Sequence, residues 1–262
     1  MEKLILNKPN GKQVSCLIEV PRDPSGIVLV VHGFDSSKEC ATVQMLMRRM
    51  PPAGIGVLAI DQPGHGQEES SEEELRVGNC LDSVEAAERY IRENYPGLSI
   101  YYFASSFGAY IVGLYLSERE HSGRKAFFRS AAVNMPSLFI KENPTEAERK
   151  IMEKLERDGY FYPAVEIDEQ LQYSGVKVTK GMMRDLADND LFEKFAPMGD
   201  GPHRIEMAHG GQDQTIDPQA ALSFARKFSI PIHVFEEEGH SLSLDPGTPD
   251  KVADLAIKLF KE

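Results

Sequence analysis

The sequence has few cysteines, no long apolar run and a deficit of basic residues, and each shortage argues against a class of protein. Its three cysteines, Cys16, Cys40 and Cys80, are scattered and none forms a CxxC pair, so we expect reduced thiols in a cytosolic protein. No apolar run approaches the length of a membrane span. The N-terminal residues contain no apolar core long enough for a signal peptide, which predicts a cytoplasmic location.

Acidic residues outnumber basic ones, with 41 aspartates and glutamates against 29 lysines and arginines and a formal net charge of −12. Such a surface repels phosphate backbones and anionic membranes, so we expect neither nucleic acid nor a membrane as a partner. The remaining composition, 41% hydrophobic and 27% charged, is typical of a soluble globular enzyme. A chain of 262 residues is long enough for one sizeable core with a small insert, and whether it forms a homo-oligomer stays open.

Short apolar runs alternate with stretches of helical periodicity along most of the chain. The runs are nearly continuous, as expected for parallel strands that are buried on both faces. Strands that alternate with helices predict an α/β fold with a mostly parallel central sheet, flanked by helices and connected by right-handed crossovers. The predicted strands are 14–20, 27–31, 56–60, 98–103, 126–133, 204–209 and 231–236. The predicted helices around them include 39–50, 107–119, 217–228 and 249–261.

The alternation of strands and helices stops at Pro136 and resumes after residue 200. The segment 136–200 contains two charged helical stretches and the aromatic sequence GYFYP, but no long buried strand. We therefore predict a core formed by 1–135 and 201–262, with 136–200 inserted into the same domain to cover the sheet. The two charged helical stretches are 145–158 and 179–194.

The segment YYFASSFGAY follows a predicted strand and opens a predicted helix. A nucleophile at such a turn has a strained backbone, and the residues two before and two after it must be small because they meet neighbouring backbone. Around Ser106 those residues are Ala104 and Gly108, whereas around Ser105 both are phenylalanines. We therefore predict that Ser106 is a nucleophile; the alternative is a serine that only caps the helix.

A nucleophilic serine needs a base, and the base needs an acid that orients it. Both are expected at the carboxyl ends of the strands, where catalytic groups gather in a parallel sheet. His240 lies four residues beyond the strand 231–236, and Asp213 lies four residues beyond the strand 204–209. We predict these two as base and acid; Asp217 is the competing acid, although its place before a proline favours a helix cap. The histidines that are less favoured as the base are His65, His121, His203, His209 and His233.

Two backbone N–H groups are needed to hold the oxyanion of a tetrahedral intermediate. Phe107 follows the nucleophile and opens a helix, so its N–H is one predicted donor. Phe34, in the sequence HGF after the strand 27–31, is the other, unless HGF is a simple strand-end turn. The sequence DQPGHG also follows a strand, and there we expect a structural role for Asp61 and leave that of His65 open.

Together these residues resemble the α/β-hydrolases. The resemblance covers essentially the whole chain outside 136–200, and the chain order serine, aspartate, histidine also matches that class. Ala104 departs from the family pattern, which has glycine at this position. The sequences that carry the resemblance are HGF at 32–34, DQPGHG at 61–66, ASSFG at 104–108, GGQD at 210–213 and GH at 239–240.

Within the α/β-hydrolases, the chain is similar to small bacterial esterases such as cinnamoyl and feruloyl esterases. It is also similar to the monoacylglycerol lipase and serine aminopeptidase-like group, and the stretch HGFDSSKE especially resembles that branch. The resemblance implies that 136–200 is a lid over the acyl or alcohol pocket.

The residues and the resemblance predict a serine esterase that hydrolyses a small-molecule ester through an acyl-enzyme, of the cinnamoyl/feruloyl type or with a short acyl chain. Ser106, Asp213 and His240 would form the catalytic triad, and the N–H groups of Phe34 and Phe107 the oxyanion hole. This chemistry needs no metal or organic cofactor. Three lid aromatics either line an apolar pocket or pack within the lid; they are Tyr160, Phe161 and Tyr162.

Other functions stay open at this stage. A serine aminopeptidase or a monoacylglycerol lipase-like hydrolase would use the same triad, and carboxylates of the lid could bind a substrate ammonium. A charge run at this spacing is more often a solvated helix face. A non-catalytic binding module is disfavoured by the complete set of nucleophile, base, acid and oxyanion loop. The lid carboxylates in question are Glu146, Glu148, Glu153 and Glu156.

Overall fold

The computed structural model describes residues 1–66, 74–139, 144–167, 170–196 and 204–262. Its strands in chain order are β1 (Glu2–Asn7), β2 (Gln13–Glu19), β3 (Gly26–Val31), β4 (Ile55–Ile60), β5 (Ser99–Ser105), β6 (Gly123–Arg129), β7 (Tyr160–Phe161), β8 (Ala164–Ile167), β9 (Gln170–Tyr173), β10 (Val178–Thr179), β11 (Arg204–Gly210) and β12 (Ile232–Phe235). Its α-helices are α1 (Ala41–Arg49), α2 (Val77–Asn94), α3 (Phe107–Glu118), α4 (Met135–Phe139), α5 (Glu146–Asp158), α6 (Lys180–Asp188), α7 (Leu191–Lys194), α8 (Pro218–Lys227) and α9 (Thr248–Lys261). Among the described residues, no helix combines the length and the apolarity that a membrane crossing requires.

Eight of the strands form one sheet in the order β1-β2-β4-β3-β5-β6-β11-β12. From β4 to β12 every neighbouring pair is parallel, whereas β1 with β2 and β2 with β4 pair antiparallel. The sheet confirms the predicted α/β fold with a mostly parallel centre. It also places the carboxyl ends of β3, β5, β6, β11 and β12 along one edge, where a site is expected.

The central strands are buried on both faces. In β3, Ile27 and Leu29 belong to the apolar layer that contains α2, α3 and α8, whereas Val28 and Val30 belong to the layer of α1 and α9. Because side chains alternate between the two faces of a strand, a strand between two helical layers reads as a continuous apolar run. This explains why the middle of the sheet could be predicted from the sequence.

The structure corrects one of the strand predictions and adds a strand that was not predicted. The strand predicted at 126–133 is β6, which begins at Gly123 and ends at Arg129. Ser130 has a φ of 48°, in the left-handed region, so the strand ends although the apolar run continues. Strand β1 has no counterpart among the predicted strands, because its residues alternate between exposed and half-buried positions and form no buried run.

The helix predicted at 179–194 is in fact two helices, α6 and α7. The carboxylate of Asp190 accepts a hydrogen bond from the Phe192 N–H at 2.8 Å and caps α7. An aspartate at this position starts a new helix because its side chain replaces the acceptor that the first turn lacks.

The segment between β6 and β11 adds no strand to the eight-stranded sheet within its described residues, and its own strands pair as β7 with β10 and β8 with β9. Arg76, before α2, forms a two-point ion pair with Asp185 of α6, with both distances at 2.7 Å. The Gly175 N–H donates to the Asp35 carboxylate at 3.1 Å, next to Phe34. The segment therefore contacts the carboxyl edge of the sheet. Its division from the core at 136–200 and its role as a lid stay predictions.

Candidate active site

The predicted nucleophile lies at a sharp turn between β5 and α3. Ser106 has a φ of 51° and a ψ of −117°, a rare conformation for a residue with a Cβ. Its N–H donates to the Arg129 carbonyl oxygen at the end of β6, 2.9 Å away. The adjacent Ser105 is the last residue of β5 and is buried. The turn itself is therefore occupied by Ser106.

The residues two before and two after Ser106 lie against the neighbouring strand. A Cβ on Gly108 would be 2.3 Å from the Val31 carbonyl oxygen, so only glycine fits there. Ala104 is fully buried in β5 and is paired in register with Val31. The sheet thus accommodates the methyl group by which Ala104 departs from the family pattern.

The structure brings the predicted base and acid to Ser106. His240 Nε2 lies 3.0 Å from Ser106 Oγ, and His240 Nδ1 lies 2.7 Å from Asp213 Oδ2. The Asp213 side chain is fully buried, whereas that of His240 is 26% exposed. A histidine whose Nδ1–H is held by a carboxylate has Nε2 available to accept a proton. The competing acid, Asp217, accepts a hydrogen bond from the Gln219 N–H and caps α8 instead.

Asp213 accepts hydrogen bonds from several groups besides His240. Its Oδ1 accepts from the N–H groups of Thr215 at 2.8 Å and Ile216 at 2.9 Å, and its Oδ2 lies 3.1 Å from His209 Nε2. Burial by itself raises the pKa of Asp213, but hydrogen bonds from His209, His240 and Ile216 outweigh it and hold that pKa well below its usual range. Asp213 is therefore ionised at neutral pH.

His209 belongs to this site, although the sequence placed it only among the less favoured bases. It is buried near the end of β11, and its Nε2 also lies 3.2 Å from the Ile216 carbonyl oxygen. His209 contacts Asp213 Oδ2, the same oxygen that holds His240 Nδ1. The available signal was its position four residues before Asp213 in the same strand-to-loop connection.

The loop that carries His240 is held to the end of β6. Ser130 Oγ donates to the His240 carbonyl oxygen at 2.7 Å, and the Arg129 guanidinium donates to the Ser241 carbonyl oxygen. Within the loop, the Glu238 carboxylate accepts two backbone N–H groups at 2.8 and 2.9 Å. The contacts from β6 join residues 110 and 112 positions apart, so no local sequence pattern indicates them.

The HGF loop lies against the nucleophile. A Cβ on Gly33 would be 3.2 Å from the Ser106 Cβ, and the rings of Phe34 and Phe107 meet edge to face with centroids 6.0 Å apart. Phe107 is the first residue of α3, where an N–H has no acceptor within the helix. In the part of the chain that the structure describes, neither this N–H nor that of Phe34 donates to another backbone group. The HGF loop and the start of α3, which carry the two predicted donors, thus lie next to Ser106, and the oxyanion role of the N–H groups stays a prediction.

Buried polar residues anchor the HGF loop. Lys38 binds the Asp61 carboxylate through its ammonium at 2.8 Å and through its backbone N–H at 2.7 Å. The Gln62 N–H donates to His32 Nε2 at 3.1 Å, which leaves the His32 Nδ1–H to donate to the Gly33 carbonyl oxygen at 2.7 Å. Asp61 therefore has a structural role, because its contacts join the loops that follow β3 and β4.

The burial of His32 predicts a pH dependence of stability. Burial, with a smaller contribution from His65, lowers the pKa of His32 from 6.5 to about 3. Below pH 6.5 His32 binds a proton in the unfolded chain but not in the folded chain. Each unit by which the pH decreases in this range therefore lowers the free energy of unfolding by up to about 1.4 kcal/mol. We expect a shallower slope for His32→Asn in urea unfolding between about pH 7 and pH 5. Equal slopes for the two proteins would contradict the burial of a neutral His32.

Aromatic rings extend from the HGF loop into the insert. His65, whose role the sequence left open, is buried, meets the Phe34 ring edge to face at 5.5 Å and stacks on Phe107 at 6.3 Å. Phe34 also lies 6.3 Å from the ring of Phe139 in α4, which in turn lies 6.4 Å from Phe161. The rings thus form a continuous series from the candidate oxyanion loop to the insert.

The three predicted lid aromatics differ in their surroundings. Phe161 is buried and reaches the HGF loop through Phe139. Tyr160 is exposed, with the Lys177 ammonium 4.9 Å from its ring, and its centroid is 5.8 Å from that of Tyr162. Phe161 is therefore connected to the HGF loop through ring contacts, and a contact of any of the three with substrate stays a prediction.

Residues 22–195 match the model of a family described as serine aminopeptidase, S33. The match covers more than half of the chain and includes the HGF loop and the turn at Ser106. A search of curated proteins gives no match.

Solved structures share the fold along the whole chain. A protein from Agrobacterium vitis S4 that is classed as a hydrolase is 16% identical, with a TM-score of 0.80 over 98% of this chain and 97% of its own. Est1E from Butyrivibrio proteoclasticus with bound ferulic acid is 15% identical, with a TM-score of 0.76 over 99% and 100%. Alpha/beta hydrolase domain-containing protein 10 from mouse is 14% identical, with a TM-score of 0.75 over 100% and 99%. At these identities the likeness shows the fold alone.

Proposed function

Because the chain belongs to the serine aminopeptidase S33 family of α/β-hydrolases, we propose that it is a carboxylic-ester hydrolase that forms an acyl-enzyme on Ser106. The observation that carries the proposal is the hydrogen-bonded series from Ser106 through His240 to Asp213, with distances of 3.0 and 2.7 Å. Such a series converts a weakly nucleophilic hydroxyl into an attacking group. The lowered pKa of Asp213 supports the proposal, because an ionised acid is needed beside the base.

Acylation begins when Ser106 Oγ attacks the ester carbonyl carbon and its proton passes to His240 Nε2. Asp213 holds the Nδ1–H tautomer and stabilises the imidazolium that forms. The N–H groups of Phe34 and Phe107 donate to the oxyanion of the tetrahedral intermediate. When the intermediate collapses, the bond to the alcohol oxygen breaks, His240 gives its proton to the alcohol, and Ser106 is left acylated.

Deacylation uses the same groups with water as the nucleophile. His240 Nε2 takes a proton from a water molecule, whose oxygen attacks the acyl carbonyl carbon. Collapse of the second intermediate breaks the bond to Ser106 Oγ, which regains its proton from His240 as the carboxylic acid leaves. The 26% exposure of the His240 side chain supports access of water to this base.

The segment 136–200 is the proposed lid of this site. Two contacts support the proposal: the Gly175 N–H with the Asp35 carboxylate at 3.1 Å, and the Phe139 ring with the Phe34 ring at 6.3 Å. A cover over the oxyanion loop excludes water and strengthens the electrostatic interactions inside the site. Both contacts are with the loop that supplies a proposed oxyanion donor.

An ester with an aromatic or short acyl group is the proposed substrate. The rings of Phe34, His65, Phe107 and Phe139 give the surroundings of Ser106 an aromatic character, which favours an apolar acyl group. The similar structure of Est1E contains ferulic acid, so feruloyl esters are included among the candidates.

The family description makes an aminopeptidase the second candidate. An aminopeptidase must bind the substrate ammonium, and the carboxylates of α5 are the sequence's candidates for that contact. Glu146 lies 3.2 Å from Arg149, Glu148 forms the capping box of α5, and Glu156 lies 2.8 Å from Lys180. Because three of the four candidate carboxylates already have partners on the surface of the insert, we favour the esterase.

A substrate panel tests the choice between these functions. It compares p-nitrophenyl and methyl esters, from acetyl to octanoyl and from cinnamoyl to feruloyl, with aminoacyl p-nitroanilides. We expect kcat/KM for the best ester to exceed that for the best anilide by about 100-fold or more, or about 2.7 kcal/mol. Faster turnover of the anilides would establish the aminopeptidase instead. Turnover of neither class, with no labelling by a fluorophosphonate, would contradict both.

A further inference from the structure

A groove between α1, the loop that follows His240 and the start of α9 lies outside the site described above. Its cavity volume is about 390 Å³, a size that accepts small organic molecules. One wall is the loop that carries His240, although no triad residue lines the groove. Its apolar lining consists of Ala41, Met45, Leu242, Pro246, Pro249 and Val252.

Arg129 lines this groove without a carboxylate partner. Within the described ranges no carboxylate oxygen lies within 4.0 Å of its guanidinium, whose hydrogen bond goes to the Ser241 carbonyl oxygen. The side chain is half-buried, and burial lowers the pKa of its guanidinium by more than Cys40 and the carboxylates of Asp213 and Glu238 raise it. The chain does not lack carboxylates, since acidic residues outnumber basic ones by 41 to 29. A cation that is withdrawn from water and left unpaired favours an anionic ligand.

The other charged residues of the groove do not compensate Arg129. Arg48 and Asp250 also line it, and the Asp250 carboxylate lies 3.5 Å from Arg48 and 2.7 Å from Arg49. The charge of Asp250 is therefore neutralised by the two arginines of α1. Hydroxyl groups of Thr42, Ser241 and Ser243 add hydrogen-bonding capacity to the lining.

We propose that this groove binds a small organic carboxylate with an apolar body, such as an aromatic monocarboxylate. The planar guanidinium of Arg129 has five N–H donors, so it pairs with a carboxylate while it keeps its bond to Ser241. The apolar lining contacts the body of the ligand, and its burial adds to the affinity. An inorganic anion would pair only with the Arg129 guanidinium, and a neutral aromatic compound would contact only the apolar lining.

Calorimetric titration with benzoate at constant ionic strength tests the proposal. Arg129→Met removes the charge, and Ala41→Phe fills the groove from an exposed position on α1 without a change in the core. We expect each variant to bind benzoate at least about tenfold more weakly than the wild type. The matched control is Arg22→Met, an exposed arginine outside the groove, which is expected to bind like the wild type. Benzyl alcohol and inorganic phosphate are expected to bind more weakly than benzoate.

Several results would overturn the proposal. These are unchanged affinity in Arg129→Met and Ala41→Phe, or binding of benzyl alcohol or phosphate as tight as that of benzoate. Ser106→Ala is expected to bind benzoate like the wild type, and loss of binding in that variant would assign the acid to the hydrolytic site instead. The titration requires no turnover. A protein that binds benzoate in the groove but hydrolyses no ester would therefore contradict the proposed function and leave this inference intact.

Discussion

Replacement of Ser106 by alanine is expected to lower kcat for ester hydrolysis by about 10⁴-fold or more. The variant keeps the His240–Asp213 hydrogen bond of 2.7 Å and both proposed oxyanion donors, but it lacks the atom that attacks the carbonyl carbon. Alanine has the same backbone preferences as serine at a φ of 51°, so the turn is expected to be retained. Steady-state turnover of the best ester in the panel measures the loss, and fluorophosphonate labelling should disappear with it.

Two further variants show whether a loss of turnover comes from a missing nucleophile or from a change in folding. Ser105→Ala is expected to keep kcat within about threefold, because Ser105 ends β5 and the turn belongs to its neighbour. Ser106→Gly should be as inactive as Ser106→Ala but more stable by about 1 kcal/mol, since glycine adopts a positive φ without strain. Retained turnover and labelling in Ser106→Ala would remove Ser106 as the nucleophile.

Replacement of Asp213 by asparagine is expected to lower kcat by about 10⁴-fold, the loss typical of a triad whose histidine is held in the wrong tautomer. The Oδ1 position accepts N–H groups from Thr215 and Ile216, so the amide oxygen of the variant must lie there. The NH₂ group then faces His240 Nδ1, which becomes an acceptor, and the imidazole proton moves to Nε2. A base that already carries a proton on Nε2 cannot accept the one from Ser106.

Asp217→Asn is the matched control for this prediction. Asp217 caps α8 by accepting the Gln219 N–H at 2.9 Å, and asparagine caps a helix about as well as aspartate. We therefore expect kcat within about threefold of the wild type and little change in the free energy of unfolding. A large loss of kcat in Asp217→Asn, with normal turnover in Asp213→Asn, would exchange the assignments of the two aspartates.

The position of the proposed nucleophile at a sharp turn could be predicted because the constraint on that turn is local. Ala104 and Gly108 stand two positions from Ser106, and the size of a residue is read directly from the sequence. The structure gives the physical reason, since a Cβ on Gly108 would collide with the backbone of β3. The parallel centre of the sheet could also be predicted from the sequence, because strands with helical layers on both faces are continuous apolar runs.

The residues that hold the base and the acid could not be predicted in the same way. Ser130 and Arg129 bind the loop of His240 because the strand order places β6 two positions from β12, which that loop follows, and not because of any residue nearby in the sequence. Ser130, whose left-handed φ of 48° ends β6 although the apolar run continues, also donates its N–H to the Ala208 carbonyl oxygen at 2.8 Å. Such contacts depend on the path of the chain across the sheet.

Residue size, apolar periodicity and position after a strand were thus sufficient for the fold class, for Ser106, and for His240 and Asp213 as candidates, because each is a property of a short segment. Folding alone decides which aspartate faces His240, and it leaves the Arg129 guanidinium with no carboxylate oxygen within 4.0 Å among the described residues. It also adds His209 to the acid and buries His32 in the anchor of the HGF loop. These features arise where loops from different strands meet at one edge of the sheet, and their distances are set by the packing of the whole domain.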